Sequence, residues 1–121
     1  MQFNHFTTFF LKNRKFMKTI PDFDGSEIWI IRTTLKERYG QNIEVQLADT
    51  QVTLDTGSIW CPTVYWHVEP AHFVVFKTAL GSYRCNFFYN ENEQFGTGVE
   101  EFDNISECIV TLLQVQQEHK I

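Results

Sequence analysis

The sequence predicts an α+β fold: a two-layer sandwich in which an N-terminal helix and a C-terminal helix cover one face of a four- to five-stranded antiparallel sheet. Three observations lead there. Apolar residues recur at helical spacing through Ile28, Ile31, Leu35 and Tyr39, and again through Ile105, Cys108, Ile109, Leu112 and Val115. Between these stripes lie segments that alternate apolar and polar with period two. The links between those segments are short, which makes successive strands antiparallel neighbours. Each helix has one apolar stripe to bury, and one sheet face serves both.

The first helix opens at Asp24, whose carboxylate can accept from free backbone N–H groups, with Glu27 placed to reach back. Phe23 before the cap and Ile28 after it form a hydrophobic staple, and Trp29 and Ile30 widen the apolar face. Gly40 suits the left-handed position that ends a helix. Ile43 to Leu47 alternates as a half-buried strand. Asp49-Thr50 then either turns the chain into Val52-Thr53-Leu54 or lies within one long bent strand. Asp55 to Ser58 reads as a turn or loop. Thr63 to Val68 places Val64, Trp66 and Val68 on one face, with Tyr65 and His67 on the other. His72 to Thr78 is apolar on both faces, the pattern of a central strand. Tyr83 to Tyr89 sets Tyr83, Cys85 and Phe87 against Arg84, Asn86 and Phe88. A polar, glycine-containing loop spans Asn90 to Val99, and Asp103 or Asn104 caps the closing helix, with Glu107 placed for a capping box with Asn104.

With 121 residues the chain has room for one domain with a real core and none for a second cofactor-binding half. Residues 21–121 form the α+β domain. Residues 1–20 are expected to be a flexible N-terminal tail or, because Met17-Lys18-Thr19-Ile20-Pro21 reads like a natural start, to include an upstream extension over 1–16. This tail holds Lys12, Arg14, Lys15 and Lys18 and no acidic residue, which leaves 6 basic and 15 acidic groups, a net −9, on the rest. An acidic body repels nucleic acid at long range, so no nucleic-acid partner is expected. The run Phe9-Phe10-Leu11 is too short to span a membrane, and no membrane association is expected. The order helix, antiparallel strands, helix is similar to that of double-stranded-RNA-binding domains. The likeness is one of topology alone, because Glu100-Glu101-Phe102-Asp103 puts acid at the start of the last helix.

Cys61, Cys85 and Cys108 are odd in number and widely spaced, which points to a reducing compartment and a cytoplasmic location. Cys85 and Cys108 fall on apolar stripes and read as core residues. His67, Glu69 and His72 flank one turn, but three residues without a known ligand spacing read as surface groups, so no metal site is assigned. Gly96-Thr97-Gly98 lacks the lysine of a phosphate loop. No catalytic constellation emerges and no cofactor is expected.

Two helices cover one sheet face, so the opposite face is expected to be uncovered, carrying Tyr65, His67, Arg84, Asn86 and Phe88. Aromatic rings beside a guanidinium suit a homodimer or other protein partner, which makes a non-enzymatic binding or adaptor module the first expectation. A small-ligand or enzymatic site on the same face is the alternative, with Tyr65, His67 and Arg84 as polar anchors. A third possibility is that the tail, with Phe3, Phe6, Phe9 and Phe10, folds across the face.

Overall fold

The computed structural model describes residues 8–11, 20–55 and 57–119. The elements are β1 (Thr8–Leu11), α1 (Gly25–Tyr39), β2 (Gln46–Leu54), β3 (Gly57–Val68), β4 (Ala71–Ala79), β5 (Ser82–Phe88) and α2 (Ile105–Glu118). The strands form one sheet in the order β1-β2-β3-β4-β5, antiparallel throughout. This is the α+β arrangement the sequence predicts, with a helix on either side of β2–β5 in chain order. The additional strand β1 precedes α1 and pairs with Ala48–Gln51 at the edge of β2. The other tail residues, 1–7 and 12–19, and the side chains of Phe9 and Phe10 lie outside the described residues. Among the described residues no helix is long and apolar enough to cross a membrane.

The α1 boundaries follow their sequence signals. The Asp24 carboxylate accepts from the Glu27 N–H and the Glu27 carboxylate accepts from the Asp24 N–H, both at 2.8 Å. Gly40 ends the helix at φ +72°, where a side chain would be strained. In α2 the Asn104 side chain accepts from the Glu107 N–H at 2.9 Å. Ile31, Leu35, Cys108, Ile109 and Leu112 are fully buried against Val64, Trp66, Phe73, Val75 and Phe87 of the sheet. Each large apolar side chain buried this way stabilises the fold by about 1.5–3 kcal/mol before entropy is counted. Trp29 departs from expectation: it is 66% exposed and does not widen the buried stripe.

In the β2 region the alternative of one long strand holds, and its start is corrected. Ile43 to Val45 belong to the link after α1, and the strand runs unbroken from Gln46 through Asp49 and Thr50, both buried. A long partner makes this possible: β2 pairs with β3 from Gln46↔Tyr65 to Leu54↔Gly57, and the Thr63 hydroxyl donates to the Thr50 hydroxyl at 2.8 Å. β3 accordingly starts at Gly57 rather than Thr63. Pro62, which has no N–H to give, sits where the β3–β4 ladder ends at Thr63↔Phe76.

Glu27 does more than cap α1. Its carboxylate also accepts from the Lys77 ammonium at 2.8 Å and from the Tyr83 hydroxyl. Lys77 donates in addition to the Asp22 carbonyl at 3.0 Å, and it lies 5.8 Å from the centre of the Phe23 ring. A buried cation and a buried anion thereby pin the start of α1 to β4 and β5.

The second face of the sheet is a core of its own. Cys61, Tyr65, Val74, Phe76 and Phe88 are buried there together with Ile20 and Val52. The expectation of an uncovered aromatic face is therefore corrected: Tyr65 is 6% exposed and Phe88 2%. The apolar pattern on both sides of β4 is the sequence counterpart of this double burial.

Candidate functional site

The register distributes the five surface residues named from sequence into two groups. His67, His72 and Phe88 form one row across β3, β4 and β5. The His67 and His72 rings stack at 4.1 Å with 8° between planes, and His72 stacks on Phe88 at 5.0 Å. The Tyr65 hydroxyl is 2.8 Å from His72 Nδ1. His67 Nε2 lies 2.7 Å from Glu69 Oε1 in the turn. Burial, followed by the neighbouring His67, holds His72 below the ordinary histidine pKa, while Glu69 pulls the other way. Tyr65 and Phe88 are interior parts of this row, and His67 is its exposed end. Among the described residues no three His, Cys, Asp or Glu side chains converge on a metal position.

Arg84 and Asn86 form the other group. They border a cleft of about 440 Å³ at the β5 edge, with Phe76 and Val52 on the sheet side and residues 96–100 opposite. This volume falls within the range of about 300–1,000 Å³ common to ligand sites. The opening is built by the chain itself. Tyr83 exchanges both main-chain hydrogen bonds with Phe102 at 2.8 Å, and Phe87 does the same with Phe95 at 2.9 and 2.8 Å. Between these two bridges residues 96–101 arch away from the strand. Alternation along β5 turns the Cys85 N–H and C=O toward the same edge as those of Tyr83 and Phe87, into the gap under the arch.

The polar groups around the cleft are loosely engaged. Arg84 Nη2 stands 3.4 Å from Glu100 Oε1 and Arg84 Nε 3.6 Å from Glu101 Oε2, longer than the 2.7–2.9 Å or so of a strong charge-assisted bond. Arg84 Nε is buried and, among the described residues, has no hydrogen-bond partner. Glu101 is held in place by the Thr78 hydroxyl, which donates to it at 2.8 Å, whereas the Glu100 side chain is 79% exposed. Gly96 approaches closely enough that a Cβ there would stand 3.5 Å from Asn86 Oδ1.

Behind the cleft, burial pushes the Cys61 thiol up to about 11; Arg84 lowers it, while Asp49 and Glu101 raise it. Cys61 is thus a neutral thiol at physiological pH. His67, six residues further along β3, is about 20 Å away, too far to act as its base.

Sequence reasoning found Arg84 and Asn86, and Phe76 as one of two alternatives for the same face, but missed the Cys85 main chain and the 96–100 wall. The glycines at 96 and 98 were the available signal for that wall. Comparison with known proteins finds no matching family, no similar curated protein and no similar solved structure.

Proposed function

We propose that this protein is a non-enzymatic binding module whose ligand is a small polar molecule seated in the cleft at the β5 edge. The observation that carries this reading is the convergence of partly used polar groups on one opening of ligand size. Arg84 offers a guanidinium whose Nη2 makes only a long contact with Glu100, Asn86 an amide, and Cys85 a main-chain donor and acceptor. Phe76 and Val52 supply the apolar floor such sites commonly have. Self-association through Tyr65 and Phe88, the first expectation from sequence, has lost its surface because both are interior. The neutral Cys61 thiol and its distance from His67 speak against nucleophilic catalysis. Three free, buried cysteines suit a reducing compartment such as the cytoplasm.

The test is a thermal-shift screen of polar metabolites and neutral polar fragments on wild type, Arg84→Ala and Asn86→Ala. A ligand present at about a hundred times its Kd stabilises by about 2.7 kcal/mol. The expected result is a stabilising compound whose effect is lost in Arg84→Ala and reduced in Asn86→Ala. Stabilisers that act equally on all three proteins, or a library without any stabiliser, would overturn the reading.

A further inference from the structure

The charges around the cleft narrow its ligand, and this step rests on the cleft-binding reading above. Among the described residues lining the cleft there is one cation, Arg84, and its nearest anion is Glu100, at 3.4 Å. Glu101 stands behind Arg84 at 3.6 Å and is fixed there by Thr78. A ligand with only a carboxylate meets Arg84 but adds a third negative charge beside Glu100 and Glu101. A ligand with only a cation meets Glu100 and crowds Arg84. A neutral ligand can hydrogen-bond to either group but brings no opposite charge to Arg84 or to Glu100.

A small zwitterion matches both charges. Its carboxylate takes the outward Nη donor of Arg84, now turned to Glu100, and the Asn86 amide. Its ammonium takes the Glu100 carboxylate and the outward C=O of Cys85. Glu100 can move aside, because among the described residues its ion pair with Arg84 is long and its side chain is 79% exposed. We infer that the cleft binds an amino-acid-type zwitterion, with Arg84 as the carboxylate anchor and Glu100 as the ammonium anchor. The apolar floor at Phe76 and Val52 and the room in about 440 Å³ accommodate a side chain as well as the charged ends.

The experiment titrates isotope-labelled full-length protein with free α-amino acids, with their N-acetyl counterparts, which lack the cation, and with their carboxamide counterparts, which lack the carboxylate. The readouts are the Arg84 Nε–H, the Asn86 side-chain amide and the amides of Gly96 and Gly98. The free amino acids are expected to shift these signals and the blocked forms to bind at least about tenfold more weakly. Arg84→Gln is expected to weaken binding about ten- to a hundredfold. Glu100→Gln, a change on an exposed side chain, should weaken free amino acids and leave the N-acetyl forms bound as well as before or better, since it removes a repelling charge. If blocked forms bind as well as free ones, or only the neutral fragments of the screen engage Arg84, the zwitterion assignment is overturned and the cleft remains a binding site. If nothing in either panel perturbs the cleft, both readings fall.

Discussion

Lys77 Nζ lies 2.8 Å from Glu27 Oε1, with the lysine side chain 1% exposed and the glutamate 9%. Charges buried this deeply persist only when each is paired and hydrogen-bonded, and here each has further partners. The Asp24 N–H and the Tyr83 hydroxyl complete the shell of Glu27, and the Asp22 carbonyl accepts from Lys77. This cluster fastens the first turn of α1 to β4 and β5.

Removing one member should therefore cost far more than a surface charge change. Lys77→Met is expected to destabilise the protein by about 3–5 kcal/mol, because it leaves the Glu27 carboxylate buried without its cation. Lys77→Met combined with Glu27→Gln should recover part of that loss. Urea denaturation of the two single variants and the double variant gives the coupling.

At high pH the same cluster should fail through Tyr83. Burial first, and the Glu27 hydrogen bond second, raise its pKa above the usual tyrosine value. The folded state holds this proton more tightly than the unfolded state does. The resulting stability is complete below about pH 10, the pKa of an unfolded tyrosine, and is lost as pH rises above it. Urea midpoints should fall on alkalinisation in wild type, and less steeply in Tyr83→Phe.

At low pH the histidine row should give way. The pKa of His72 is lowered in the folded state, so below about 6.5 the unfolded chain takes up the proton more readily. Stability is therefore expected to decline as pH falls below that value and on through the folded pKa. The groups facing His72 are His67, Glu69 and Tyr65. The loss in urea midpoint between neutral and mildly acidic pH should be smaller in His72→Gln than in wild type.

The thiols offer a direct check on burial. Cys61 and Cys108 are fully buried and Cys85 is 6% exposed. Cys61 is further protected by a thiol pushed up to about 11. An alkylating reagent at neutral pH should leave native protein unlabelled over the time in which it labels all three cysteines in urea.

The helices were the most legible part of this chain, because caps and stripes are local. Asp24 with Glu27 marks the start of α1 and Gly40 its end, and the α2 stripe needs only its own spacing. The double-sided apolar pattern of His72 to Thr78 marked β4 as central. What stayed hidden depends on distant partners. Asp49 and Thr50 resemble a turn until β3 is laid beside them. Lys77 looks like a solvated strand residue until Glu27, fifty positions earlier, meets it. Trp29 sits on a helix whose buried face is set by where the sheet lies. In the candidate site, Arg84 and Asn86 were readable from strand alternation. The arch that makes them a cleft comes from the return of the chain at Phe95 and Phe102, which no local signal announces.

Whether the second sheet face is interior, leaving only its β5 end at Arg84 and Asn86 for a ligand, is tested most directly by Phe88→Asp, followed by urea denaturation with light scattering on the same samples. Phe88 is 2% exposed. The expected result is a loss of about 4 kcal/mol or more, from the lost ring and a carboxylate placed in a core, with no folded monomer released from a wild-type dimer. A Phe88→Asp protein that keeps wild-type stability and changes only its oligomeric state would contradict it.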